Sequence, residues 1–206
     1  MSAAAEVTRE HDRRASFGGA AGNERLTSLA GALLVVLLAV EGATIPFLRP
    51  LLSVHIFVGM LLLGPVALKL ASTGYRFARY YTGASEYVAA GPPAPLMRVL
   101  VAPVLVLSTL TLFGTGVLLV ASPHRGAVLG LHKASFVVWL LSTSVHVLAR
   151  LVRMREALRA RYPGLVLRFG VVAVTVAAGA AVAAVTLPGA DHLQDRMSAQ
   201  VGVDGG

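Results

Sequence analysis

Five long apolar stretches divide the chain, roughly Thr27–Phe47, Leu51–Ser72, Val99–Ala121, Ala127–Arg150 and Leu165–Leu187, each able to cross about 30 Å of hydrocarbon. No water is available to backbone N–H and C=O groups at that depth, so each stretch predicts an α-helix. Short connections holding Pro46 and Pro50, and Pro123 and Gly126, predict antiparallel neighbours for spans one and two and for spans three and four. The expected fold is therefore all-α, an integral membrane up-and-down helical bundle. The fifth span differs from the rest. From Ala173 to Val185 it is almost all Ala, Val and Gly, with no ionisable residue, which suits close packing but carries no chemistry. It is expected to be an accessory transmembrane helix beside a four-helix core. The divisions implied are a disordered arm over 1–24, a four-helix domain over 25–152, a basic loop and fifth helix over 153–187, and a disordered tail over 188–206. No clear internal repeat accompanies them.

Charge sets the expected orientation. Of the 206 residues 56% are hydrophobic and 14% charged, and 16 arginines with two lysines give a net charge of +8. A nucleic-acid binder would carry such charge on one face of a soluble domain; here it flanks apolar spans. Arg9, Arg13, Arg14 and Arg25 precede the first span, Arg76, Arg79 and Arg98 lie between the second and third, and Arg150, Arg153, Arg155, Arg159, Arg161 and Arg168 crowd the fourth connection. The other connections hold one arginine each, Arg49 and Arg125. The positive-inside rule then puts a multi-pass protein in the cell membrane with its amino terminus cytoplasmic and its carboxyl terminus outside.

Arg13-Arg14 followed by Ala15-Ser16-Phe17 is reminiscent of a twin-arginine export signal, but Glu41 interrupts the apolar segment and no small-residue cleavage site follows, so a retained anchor is expected. Residues 73–97 mix Tyr75, Tyr80, Tyr81 and Tyr87 with glycines, prolines and arginines, the composition of an interfacial anchor, with docking of a partner as the alternative. There is no cysteine, which excludes disulfides, iron–sulfur clusters and thiolate or covalent c-type haem.

Ionisable groups in hydrocarbon are costly, which singles out Glu41, His55, Lys69, His132, Lys133 and His146. His132 and His146 stand 14 residues apart, a spacing that returns to one helix face while advancing about 21 Å. His55 enters the second span at about the depth of His132, and Lys69, 14 residues beyond His55, at about that of His146. Two imidazoles at one depth on facing helices suit a haem wedged between them, provided that small neighbours leave room. Gly59 lies one turn from His55, and Gly130 and Ser135 bracket His132. Ser135 or Thr143 is placed to orient an imidazole, and Phe136 and Trp139 to pack on ring edges. Lys133, Arg49 and Arg125 have two readings, pairing with haem propionates or snorkelling to the interface. The plainer alternative for the histidines is a hydrogen bond between helices.

The segments Leu52-Ser53-Val54-His55-Ile56-Phe57-Val58-Gly59, Leu131-His132-Lys133-Ala134-Ser135-Phe136 and Ser144-Val145-His146-Val147-Leu148 resemble the haem-binding helices of the cytochrome b561-like, bacterial di-haem cytochrome b group, which includes the membrane subunits of formate dehydrogenases and nickel–iron hydrogenases. The resemblance covers residues 25–152. It implies that His55 and His132 share an outer haem b, that His146 is a ligand of an inner one, and that the protein moves electrons between quinone and a separate redox partner subunit. The chain departs from the group at the fourth ligand: the first span has no histidine, and Lys69 stands where a second histidine would lie on the second span. One haem is accordingly expected ahead of two.

The expected function is a non-catalytic electron-transfer subunit, with Glu41 placed either to accept protons from a quinol or to bridge to a serine or Lys133. The alternatives are a haem-free transporter or proton conduit running through Glu41, His55, His132, Lys69 and His146, and an assembly subunit with structural histidines. The paired, interrupted helices of secondary transporters are missing from the pattern.

Overall fold

The computed structural model describes residues 18–92, 95–121, 126–159 and 164–204. Most of the amino-terminal arm, with Arg9, Arg13 and Arg14, lies outside them, as do Pro123, Arg125 and Arg161. The described residues form helices and no strand: α1 (Gly19–Thr44), α2 (Leu52–Tyr81), a short α3 (Ser85–Ala89), α4 (Ala102–Ala121) entered through a π-helical stretch Met97–Val101, α5 (Gly126–Arg159) and α6 (Leu165–Asp204). Five of these elements contain spans long and apolar enough to cross a membrane. Their outer surfaces agree with that: Leu107, Leu141, Leu148, Val174 and Val185 are all more than half exposed. Apolar surface on this scale is stable only in an apolar solvent. The chain is a multi-pass membrane protein.

Many hydroxyls inside the spans return to their own helix, as Thr109 does to the Leu105 carbonyl at 2.6 Å and Ser144 to the Leu140 carbonyl at 2.8 Å. Such bonds satisfy a polar group where water cannot. Pro65 sits fully buried within α2. The apolar centre is Leu34, Val58 and Leu62, packed by Leu38, Phe57 and Phe113 from α1, α2 and α4.

Neighbouring helices run antiparallel. At one end of the α1–α2 pair, Asn23 donates to the Ser72 carbonyl at 2.9 Å and Lys69 to the Thr27 carbonyl at 2.6 Å; at the other, Thr44 meets His55 at 2.8 Å. The α4–α5 pair is tied by Trp139, whose indole donates to Thr109 at 3.1 Å. The most extensive seam in the molecule, however, joins α2 to α6. There Gly64 faces Thr175 and Gly179 faces Leu61 so closely that a Cβ on either glycine would overlap the opposing backbone. Small residues permit this approach. The fifth span thus packs as an integral member of the bundle and not as an accessory beside a four-helix core.

Two boundaries also differ from expectation. Helix α1 begins at Gly19, inside the segment expected to be a disordered arm. Helix α6 continues through Pro188 to Asp204, where a disordered tail is expected. Proline costs a helix one backbone hydrogen bond, which a long apolar helix absorbs where neighbours pack on it; Ala190 and Leu193 beyond it are buried.

Candidate functional site

His55 lies in the first turn of α2, its side chain 23% exposed. Its Nδ1 is 2.8 Å from Thr44 Oγ1 and 3.1 Å from Glu41 Oε1. The Thr44 hydroxyl gives its one proton to the Glu41 carbonyl at 2.6 Å, so its oxygen accepts from His55. The proton of a neutral His55 ring is therefore on Nδ1, and Nε2 keeps its lone pair.

His132 reaches the same arrangement from other partners. Its Nδ1 is 3.1 Å from the Leu112 carbonyl and 3.0 Å from Thr115 Oγ1, both on α4. A carbonyl oxygen can only accept, so Nδ1–H is the donor and Nε2 again carries a lone pair. The two imidazoles lie within Coulombic reach of one another. Their helices nevertheless share no extensive seam: α2 packs on α6 and α1, and α5 on α4.

Glycines border both histidine sites, though not as the sequence suggests. A Cβ on Gly59 would meet Glu41 Oε1, the carboxylate beside His55, at an ordinary contact distance of 3.4 Å. Gly130 is exposed with nothing within 4 Å of its Cβ position, while Gly116 on α4 faces His132 Cε1 at 3.4 Å. Ser135 is buried but donates to the His132 carbonyl at 3.0 Å, so its hydroxyl turns to its own helix and not to the ring. Phe136 and Trp139 stack at 6.4 Å, with Trp139 fixed to α4. Lys133 and Arg49 are exposed at the bundle surface.

Three buried oxygens among the described residues have no protein partner: Glu41 Oε2 beside His55, Ser53 Oγ in the first turn of α2, and Thr143 Oγ1 one turn before His146. A buried acceptor left unpaired is costly, and such atoms mark positions where a ligand or proton completes the structure.

The second cluster lies toward the other end of the bundle. His146 is half-buried within Coulombic reach of Lys69 and Arg150. Lys69 is held to α1 through Thr27, and a Cβ on Gly31 would approach its Nζ to 3.0 Å. Among the described residues no three or more histidines, aspartates or glutamates gather as a metal-holding group.

Thr44, Leu112, Thr115 and Gly116 are the contributors that sequence reasoning missed. The available signal was their position on the helix next in sequence, 11 residues from His55 for Thr44 and 17 from His132 for Thr115. No protein-family profile, curated protein or solved structure matches the chain.

Proposed function

We propose that this chain is a b-type haem membrane electron-transfer protein in which His55 and His132 ligate one haem. The observation that carries this reading is the matched state of the two rings: each turns Nδ1–H into the protein and keeps an Nε2 lone pair, from helices that do not pack along one another. A ligating histidine characteristically donates its other ring proton to a carboxylate or carbonyl, which fixes the tautomer and the ring plane. Glu41 with Thr44 does this for His55, and the Leu112 carbonyl with Thr115 does it for His132.

Bound haem supplies one-electron cycling of iron in a low-dielectric surround. The chain supplies the ligands, their orientation and, at Glu41, a carboxylate oxygen without a protein partner on which a quinol proton can be received. Quinone in the bilayer and a separate redox subunit at the histidine-pair end complete the proposed electron path. In this reading the arginine-rich opposite end faces the cytoplasm by the positive-inside rule, and the histidine pair faces the outer side of the cell membrane.

A pyridine haemochrome assay on the purified full-length protein tests the reading, with H55A and H132A as variants. Bound b-type haem that either variant loses supports it; haem-free wild-type protein overturns it. The Glu41–His55 contact also favours one second reading, a haem-free proton conduit. That reading requires proton flux into liposomes from haem-free protein, abolished by E41Q.

A further inference from the structure

Lys69 lies within the apolar part of α2, toward the end of the bundle away from His55, where an ammonium is costly unless its donors are met. It has three N–H donors. One is given to the Thr27 carbonyl of α1 at 2.6 Å, and Gly31, whose Cβ position is 3.0 Å from Nζ, lets the amine seat against that helix. Among the described residues no carboxylate comes within ion-pair distance of it. Glu24 pairs with Arg76 at 3.6 Å, Glu86 accepts from the Ala20 N–H at 3.2 Å, and Glu156 is exposed further along α5.

Thr143 reaches the same region from α5. It shares a face of that helix with His146, three residues on; α5 packs on α1, and His146 lies within Coulombic reach of Lys69. Thr109, Thr111 and Thr175 each give their proton to a carbonyl of their own helix. Thr143 does not: its Oγ1 is buried and has no protein partner among the described residues. Arg150 also lies within Coulombic reach of Lys69, but it is engaged by partners of its own and is not counted among the donors.

Two unspent N–H donors on a cation and one unspent O–H donor on the facing helix select an acceptor that carries negative charge and has no fixed lone-pair direction. Thr143 Oγ1 is closed to solvent and lipid, so the acceptor is small enough to sit inside the bundle, which a phospholipid headgroup is not. We propose that a small monovalent anion of the halide class binds between Lys69 and Thr143 and bridges α2 to α5. This site does not depend on the haem reading.

The test follows thermal unfolding of the full-length protein in detergent, with sodium gluconate replaced stepwise by sodium chloride or bromide at a constant ionic strength of about 150 mM. A ligand of the folded state alone raises the melting temperature with its concentration. The expected rise is saturable in either halide and reaches about 4 °C in full chloride for a site half-filled at about 10 mM. K69M and T143V should each abolish it, and T143S, which keeps the hydroxyl, should retain it. T143V also separates this site from a merely structural hydroxyl: with no anion bound it removes an unpaired buried group and raises the melting temperature equally in gluconate and in chloride. R76Q, at the same end but paired with Glu24, should respond to halide as the wild type does. A wild-type melt indifferent to halide, or a halide-dependent rise kept in full by T143V, overturns the inference, as does loss of the rise in R76Q. If K69M lacks wild-type helicity, T143V and T143S decide.

Discussion

Gln194, near the end of the fifth span, caps the start of the second: its Oε1 accepts from the Ser53 N–H at 2.8 Å and its Nε2 donates to the Pro50 carbonyl at 3.2 Å. Ser53 is in the first turn of the helix that carries His55, whose own N-cap position, Leu51, offers no side-chain bond. The first N–H groups of a helix have no partner within it, and here the missing acceptor arrives from a residue 141 positions away. Q194A should therefore destabilise the protein by about 1 kcal/mol, as loss of a cap does. A thermal melt in detergent measures this. Under the haem proposal it should also broaden or shift the haem absorbance band, since the first turn of α2 sets the His55 ring.

The Gly64–Gly179 contact is tighter and less forgiving. Any side chain on either glycine meets opposing backbone, which cannot rotate away as a side chain can. G64A and G179A should each cost about 1–3 kcal/mol through forced separation of α2 and α6. G114A, on a helix face with nothing within 4 Å, should leave the melting temperature unchanged or raise it slightly. Equal melts for all three would show that the seam does not hold the fold.

Depth along the membrane was legible in the sequence because the helical rise converts residue number directly into height. That is why the ends of the antiparallel α1–α2 pair match, Thr44 meeting His55 at one end and Thr27 meeting Lys69 at the other. Facing and register were not legible, since they depend on which helices pack together. Gly130 has the spacing to make room for His132 yet points outward, and the glycine that borders the His132 ring is Gly116 on the neighbouring helix. The small-residue composition of the fifth span correctly signalled close packing, but composition does not name the partner, and the partner is the helix of His55. The short, mixed-charge segment from residue 188 is expected to be a disordered tail, whereas α6 passes through Pro188 and so carries Gln194 to its contact.

The orienting bonds of the two histidines should be separable by mutation. T44V leaves His55 its contact with Glu41, and T115V leaves His132 its contact with Leu112, so each single variant should retain haem with lowered affinity. Loss of a bond that orients a metal ligand typically weakens binding by about 10–100-fold. T44V combined with E41L removes both His55 partners and should lower affinity by more than the two single effects combined, because each partner compensates for loss of the other. Haem titration of the apoprotein, followed in the Soret region, measures these three variants and the E41L single. Unchanged affinity in the double variant would count against His55 as a ligand.

The inner cluster should hold no second haem. A second haem would need His146 and one further ligand, and the residue at that depth on α2 is Lys69. Its Nζ is committed to the Thr27 carbonyl at 2.6 Å, a bond in which it acts as donor. Ligation would require Lys69 to break that bond, to give up a proton and to turn its lone pair to iron. Arg150 stands within Coulombic reach of both Lys69 and His146. It adds a permanent positive charge that an anion would favour and a ferric centre would not. Haem-to-protein quantification should therefore give one haem per chain in the wild type, unchanged in H146A and in K69M, and abolished in H55A. K69M should instead lower thermal stability, because it removes one of the bonds that tie α2 to α1 at this end. Two haems per chain, falling to one in H146A, would show that Lys69 leaves Thr27 and that the inner end is a second redox site.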